Sequence, residues 1–212
     1  MPQLIDTGSA TRTAASPDVL CFPGDAGYDE ARRAWNLAVD QRPAAVALPA
    51  TVDDVVAAVD HARTVGLRVA VQGTGHGARH DLLDGTLLIN TARMTGVEID
   101  AGARVATVAA GTIWIDVVDA AVEHGLTALH GSAQDVGVVG YSLGGGIGWL
   151  SRKHGLSASS VLSAEVVTAN GEVVRADPEA NPDLFWALRG GGGKYQGARH
   201  GRPSHQIRAA PS

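Results

Sequence analysis

Residues 71–78 read Val-Gln-Gly-Thr-Gly-His-Gly-Ala, and residues 131–149 read Gly-Ser-Ala-Gln-Asp-Val-Gly-Val-Val-Gly-Tyr-Ser-Leu-Gly-Gly-Gly-Ile-Gly-Trp. The first stretch follows an apolar run of strand length, and a third glycine run, Gly190 to Gly193, closes the patterned part of the chain. Glycine lets main-chain N–H groups approach an anion with no Cβ in the way, and it also serves ordinary turns and tight packing. One cluster fits either use. Three clusters separated by strand and helix patterns favour backbone brought against a ligand, and 27 glycines in 212 residues is about twice the usual share.

Outward from those stretches the periodicity alternates. Tyr28 to Val39 is expected as a short helix with Trp35 turned inward, and Ala44 to Leu48, enclosed by Pro43 and Pro49, as a strand. Thr51 and Asp54 have the spacing of a capping box; Val52, Val55, Val56 and Val59 repeat at helical spacing behind it, and Gly66 ends the helix. Leu67–Val71, Thr86–Asn90 and Arg104–Ala110 read as strands, and Trp114, Val117, Val118, Ala121 and Val122 as the apolar stripe of a helix stopped by Gly125. Ile147–His154 reads as helix, Ser163–Ala169 and Glu172–Ala176 as a hairpin about Asn170-Gly171, and Asn181-Pro182 as the start of a last helix. The economical architecture is α+β, with two lobes in tandem over 40–96 and 97–193. An N-terminal extension, 1–39, precedes them, its first twenty residues expected to be loose.

Composition narrows the function. With 45% hydrophobic residues, 18% charged residues and a net charge of −5, the chain can bury a core, and it does not fit a general nucleic-acid binder or a polybasic membrane anchor. Its single cysteine, Cys21, excludes an intrachain disulfide and a multi-cysteine metal site, and no metal is expected. No signal-like start is visible, and the longest uncharged run, Val136 to Ser151, is too short to span a bilayer, so a soluble cytoplasmic protein is expected. Residues 194–212 hold four of the 17 basic residues and none of the 22 acids, leaving the body at −9 and the tail at +4. With no apolar pattern, this tail is expected to be disordered.

The spacing Gly73-x-Gly75-x-x-Ala78 meets the relaxed dinucleotide fingerprint, yet the residues that follow, 79–85, are polar and turn-like rather than the helix that fingerprint requires. A glycine loop can still cradle a pyrophosphate through successive amides. Gly140-Tyr-Ser142-Leu-Gly144 matches a nucleophile elbow, which keeps an α/β hydrolase using Ser142 open as a reading; the alternation of a parallel hydrolase sheet is missing. His76, flanked by glycines, is the histidine placed for nucleophilic or ligating work, whereas His61, His124 and His154 sit on helix faces or ends. Asp135 is expected to hold the turn of the second loop by accepting backbone N–H groups.

Taken in order, Gln72-Gly-Thr-Gly-His76-Gly, the 131–149 stretch, His154-Gly-Leu-Ser157, Val166-Val-Thr-Ala-Asn-Gly171 and Asp183-Leu-Phe-Trp-Ala-Leu-Arg-Gly-Gly-Gly-Gly193 resemble the FAD-binding domain of the berberine-bridge-enzyme-like oxidases, in the vanillyl-alcohol-oxidase superfamily. The resemblance covers about residues 40 to 193. It implies the two α/β lobes of the PCMH-type fold with FAD between them, the pyrophosphate on the 72–77 loop and the flavin near the 137–148 glycines, with Val71, Gln72, Gly73, Thr74, Gly75, His76, Gly77, Ser132, Asp135, Val136, Gly137, Gly140, Tyr141, Leu143, Gly144, Gly145, Ile147, Gly148 and Val166 as the cofactor-binding residues. The strand around Val166 would lie beside the adenine. His76 matches the family histidine that bonds to the flavin 8α-methyl carbon, and the implied reaction is hydride transfer from a small organic substrate to flavin N5, with reoxidation by O₂.

Two departures shape the expectation. Bicovalent members carry a cysteine where this chain has Ala133, so only a single link through His76 is implied. Members also continue after the four glycines with Asn-Phe-Gly, an apolar strand and a substrate domain, where this chain has Lys194-Tyr-Gln-Gly. The expectation is a member shortened by a shifted reading frame, with an exposed sheet edge, no nameable catalytic base and weak or absent turnover. A non-catalytic FAD- or nucleotide-binding module is the alternative.

Overall fold

A computed structural model describes residues 19–79 and 83–191, and the backbone of 201–208 and 210–211. Residues 1–18 and 192–200, which include most of the expected loose start and the first part of the basic tail, lie outside the described residues.

The first sheet has the order β1-β2-β4-β3, with β1 Leu20–Cys21, β2 Ala45–Ala47, β3 Arg68–Gln72 and β4 Thr86–Asn90; β1 runs antiparallel to β2, and β2, β4 and β3 are parallel. Leu20, the last residue of the start expected to be loose, thus pairs with Ala47, and Cys21 with Val46. The parallel arrangement demands a crossover, and helix α2 Val52–Val65 supplies it. The capping box is formed, with Thr51 Oγ1 accepting from the Asp54 amide and Asp54 Oδ2 accepting from the Thr51 amide, and Gly66 closes the helix in the left-handed conformation. Val55, Ala58, Val59 and Ala62 bury one helix face against Leu87 and Ile89 of β4. Each of the valine, leucine and isoleucine side chains contributes roughly 1.5–3 kcal/mol on burial, and each alanine methyl about 0.8 kcal/mol.

The helix expected over Tyr28–Val39 is only one turn, α1 Tyr28–Ala31. Tyr28 and Ala31 pack inward, but Trp35 is 56% exposed and belongs to the turn that follows.

The second sheet has the order β5-β6-β10-β8-β9 and is antiparallel throughout: β5 Val97–Asp100, β6 Val105–Ala109, β8 Val161–Val167, β9 Val173–Ala176 and β10 Gly201–Arg208. Helix α3 Trp114–Val122, the short α4 Val138–Leu143 and α6 Pro182–Leu188 cover it, with Trp114, Val117, Val138, Leu143, Val166, Phe185 and Leu188 in one buried cluster. The hairpin turn falls at Asn170-Gly171, with Gly171 at φ 77°. The segment expected as a helix from Ile147 is helical only over α5 Ser151–His154.

The backbone of β10 corrects the expectation of a disordered tail and an open sheet edge. It sits between β6 and β8, with Ser204 opposite Ala109 and Glu165, and Arg208 opposite Val105. The reason is that β6 and β8 each present a row of N–H and C=O groups, which any backbone satisfies without an apolar side-chain pattern. The ladder to β8 shifts register between Gly201 and Ser204, across Pro203, which has no N–H to give. Ala210–Pro211, β11, pairs with β7 Leu126–Thr127.

Among the described residues no helix is long and apolar enough to cross a membrane, and no group of metal-ligating side chains converges.

Candidate functional site

Strand β3 ends at Gln72, at one edge of the first sheet, and the chain leaves its carboxyl end through the loop 73–79. No helix among the described residues separates β3 from β4, which removes the Rossmann reading. Gln72 is buried and anchors the loop: its side-chain carbonyl accepts from Gln41 Nε2 at 2.7 Å and its Nε2 donates to the Arg33 carbonyl at 3.1 Å. Thr91 Oγ1 donates to the Gln72 main-chain carbonyl at 3.3 Å.

Beyond Gln72 the loop turns through Gly75 at φ +83°, where a Cβ would stand 2.8 Å from Ala34 Cα and 3.0 Å from the Trp35 nitrogen. Only glycine allows that approach, and it lets the Trp35 N–H donate to the Thr74 carbonyl at 2.9 Å. Among the described residues, none accepts a hydrogen bond from the main-chain amides of Thr74, Gly75, His76 or Gly77. Successive amides without an acceptor in the protein can bind an anion.

His76 lies in the middle of this loop. Thr74 Oγ1 is 2.8 Å from its Nδ1, and the Trp35 indole stacks on its ring with centroids 4.1 Å apart and planes 17° from parallel. Its Nε2 is buried without a hydrogen-bond partner among the described residues; Asp135 Oδ1 is 3.5 Å away, beyond hydrogen-bonding length. The Asp135 carboxylate is itself held by the Trp35 indole, whose Nε1 donates to Oδ2 at 2.6 Å. Among the described residues no backbone N–H donates to Asp135, in place of the expected turn contact. Its described contacts face the histidine and the indole.

The second glycine loop is zipped onto the start of α3: the Trp114 amide donates to the Val136 carbonyl, the Ile115 amide to Gln134 and the Val138 amide to Thr112, each at 3.0 Å, and Ile113 bridges to Gly137. This places Gly137 against the first loop, its Cβ direction 3.8 Å from Thr74 Cγ2. The two loops, 60 residues apart in sequence, thus share one space. Further along, a Cβ on Gly148 would meet the His130 carbonyl oxygen at 1.9 Å, so the chain passes there only because that residue has none. Tyr141 packs edge-on to Trp114 with centroids 5.5 Å apart; both its hydroxyl and the Trp114 indole nitrogen are buried without partners among the described residues, and burial pushes the Tyr141 phenol up.

The expected site residues divide accordingly. Thr74, Gly75, His76, Asp135 and Gly137 come together. Ser132, Gly140, Gly144 and Ile147 are exposed along the second loop, with Gly145 and Gly148 half-buried. The side chains of Val71, Val136, Leu143 and Val166 pack into or against the cores instead, Val166 fully buried beneath the second sheet. Ser142 is fully buried inside α4 with its Oγ 2.9 Å from Ser157 Oγ, so it is neither at a strand-to-helix elbow nor open to substrate, and the hydrolase reading falls. Ala133 is exposed, and Cys21 lies in β1, at the sheet edge opposite β3. Sequence reasoning missed Trp35, because the helical spacing that turned it inward ends at Ala31 and its partners lie far along the chain.

Residues 43–177 match the family model described as an FAD binding domain. The chain is 34% identical over 187 residues to (R)-6-hydroxynicotine oxidase of Paenarthrobacter nicotinovorans, covering 88% of this chain and 41% of that protein. The fold superimposes on 6-hydroxy-D-nicotine oxidase of Arthrobacter nicotinovorans with a TM-score of 0.84 at 31% identity, over 94% of this chain and 44% of the other. It also superimposes on a glucooligosaccharide oxidase of Acremonium strictum carrying a 6-S-cysteinyl, 8α-N1-histidyl FAD, with a TM-score of 0.80 at 33% identity, over 91% and 41% of the two chains. The chain thus spans about two-fifths of the length of these relatives.

Proposed function

The chain belongs to the FAD-binding domain family of the berberine-bridge-enzyme-like oxidases, and from that footing we propose that it holds FAD between its two glycine loops as part of an FAD-dependent oxidase. The observation that carries the reading is the run of amides from Thr74 to Gly77 and the buried His76 Nε2, all without hydrogen-bond partners among the described residues, with Thr74 within 4 Å of the Cβ direction of Gly137. The fit is chemical as well as steric. A pyrophosphate brings two negative charges to a chain with a net charge of −5, and aimed amides neutralise them without a lysine.

The roles follow from placement. The amides of the 73–77 loop bind the pyrophosphate, His76 is the point of covalent attachment, and Gly137 with the glycines from 140 to 148 makes room for the isoalloxazine. Gln72 and Gly75 hold the loop open by fixing it to the 31–41 turn. Bound there, FAD supplies hydride acceptance at N5 and passes the electrons to O₂. The substrate class is a small organic molecule with an oxidisable C–H next to nitrogen or oxygen, as the names of the hydroxynicotine and oligosaccharide oxidases suggest. With Ala133 in the second loop and the single cysteine at the opposite edge of the sheet, any covalent link is single.

Titration of FAD into the purified chain, followed by quenching of flavin fluorescence, tests the reading. Saturable binding that Gly75→Ala weakens supports it; absence of binding refutes it. Bleaching of the bound flavin by a secondary amine or an oligosaccharide would identify the chain as catalytic, and binding without bleaching would mark it as a cofactor-holding module.

A further inference from the structure

Three residues converge on one imidazole from separate parts of the chain. Thr74 Oγ1 is 2.8 Å from His76 Nδ1, Trp35 covers one ring face at 4.1 Å, and Asp135 Oδ1 is 3.5 Å from Nε2. Each constrains a different property of the ring. A stacked indole fixes its plane. A hydroxyl can either give or take a proton, so Thr74 alone leaves the tautomer open. A carboxylate only accepts, and a nitrogen lone pair turned towards it would be repelled, so Asp135 selects the ring in which Nε2 carries hydrogen. The carboxylate cannot rotate away easily, because its other oxygen is held by Trp35 Nε1 at 2.6 Å. Trp35 is held in turn by its main-chain N–H on the Thr74 carbonyl.

We propose that Asp135, braced by Trp35, is a positioning residue that fixes His76 as the Nε2–H tautomer and leaves the ring's one lone pair on Nδ1, where the Thr74 hydroxyl donates to it. Asp135 touches no reacting atom in this role and acts through the histidine. The clamp gives His76 one defined nucleophilic nitrogen and one defined ring plane before any cofactor arrives. Its use in attaching flavin rests on the function proposed above, but the tautomer itself does not.

The test is a ¹⁵N NMR spectrum of the full chain, histidine-labelled and free of flavin, at pH 8. The expected result is a pyrrole-type Nε2 and a pyridine-type Nδ1 for His76, identified by its loss in His76→Ala. Asp135→Asn keeps a carbonyl oxygen for the Trp35 indole and turns its amide N–H2 towards Nε2, so at this half-exposed position it is expected to shift the ring from Nε2–H towards Nδ1–H. A wild-type ring that is Nδ1–H or mixed overturns the proposal, as does an Asp135→Asn spectrum identical to wild type. A parallel assay of flavin that stays with acid-precipitated protein separates the two claims. Several-fold less retained flavin in Asp135→Asn supports the positioning role; equal retention overturns that role while leaving the FAD reading standing. No flavin on wild type, with the expected tautomer present, contradicts the FAD reading alone.

Discussion

The Trp35 indole N–H donates to Asp135 Oδ2 at 2.6 Å, joining the turn after α1 to the loop ahead of α4 across 100 positions of sequence. This bond links the turn packed on the first glycine loop to the residue that opens the second. Trp35→Ala removes the indole stack on His76 and the support of Asp135 together. It is expected to lower FAD affinity with little loss of fold stability, since the side chain is more than half exposed. Fluorescence titration alongside thermal melting checks both halves of that statement.

Gly75 and Gly77 have different reasons to be glycine. At Gly75, positive φ and contact with the Ala34 backbone make Gly75→Ala destabilising by roughly 1–3 kcal/mol for the strained conformation alone. Nothing lies within 4 Å of a Cβ at Gly77, so Gly77→Ala should be within about 0.5 kcal/mol of wild type. Urea denaturation of the two variants measures the contrast, and equal stabilities would show that the 73–77 loop is not seated as described.

The buried Ser142–Ser157 pair accounts for the nucleophile-elbow pattern as packing. Ser142→Ala leaves the Ser157 hydroxyl without its partner and is expected to cost about 1–3 kcal/mol, with FAD binding unchanged and no esterase activity in either protein. Ester hydrolysis that disappears in Ser142→Ala would contradict the burial of that side chain.

Much of the architecture was legible where the signal is local. The capping box needs only Thr51 and Asp54, three positions apart, and its removal by Thr51→Ala should lower stability by about 1 kcal/mol and the melting temperature by roughly 2–4 °C. Asn170-Gly171 fixes its hairpin through backbone conformation at one glycine. The loop around His76 stands out in the sequence because glycines at alternate positions 73, 75 and 77 are costly unless backbone must come close to something. What escaped was non-local. Helical spacing assigns Trp35 to a core that the helix does not reach, and nothing local marks Asp135, 100 positions away, as its partner. The strand at 201–208 escaped because its ladder partners are the amides and carbonyls of β6 and β8, and hydrogen bonding of that kind leaves no hydrophobic pattern.

Acid should act on the second sheet through Asp177. The Arg175 guanidinium, with Nε 2.5 Å from Oδ2, and the amides of Ala180 and Glu179 hold this carboxyl at about 2 instead of its usual 3.8. A carboxyl lowered in the folded state stabilises fully above its unfolded value and loses that contribution as pH falls towards its folded value. Melting temperatures should therefore decline between pH 4 and 2, and Asp177→Asn should flatten that part of the curve. An unchanged slope would show that the Arg175 contact is not made in solution.

If the 73–77 loop holds FAD with His76 against the flavin, acid precipitation of the FAD-loaded chain will separate attached from free cofactor. Wild-type protein should carry flavin absorbance into the pellet, and His76→Ala should bind the cofactor yet release it to the supernatant. A wild-type chain that leaves all its flavin in solution would contradict attachment at His76, and one that takes up none at all would contradict the site.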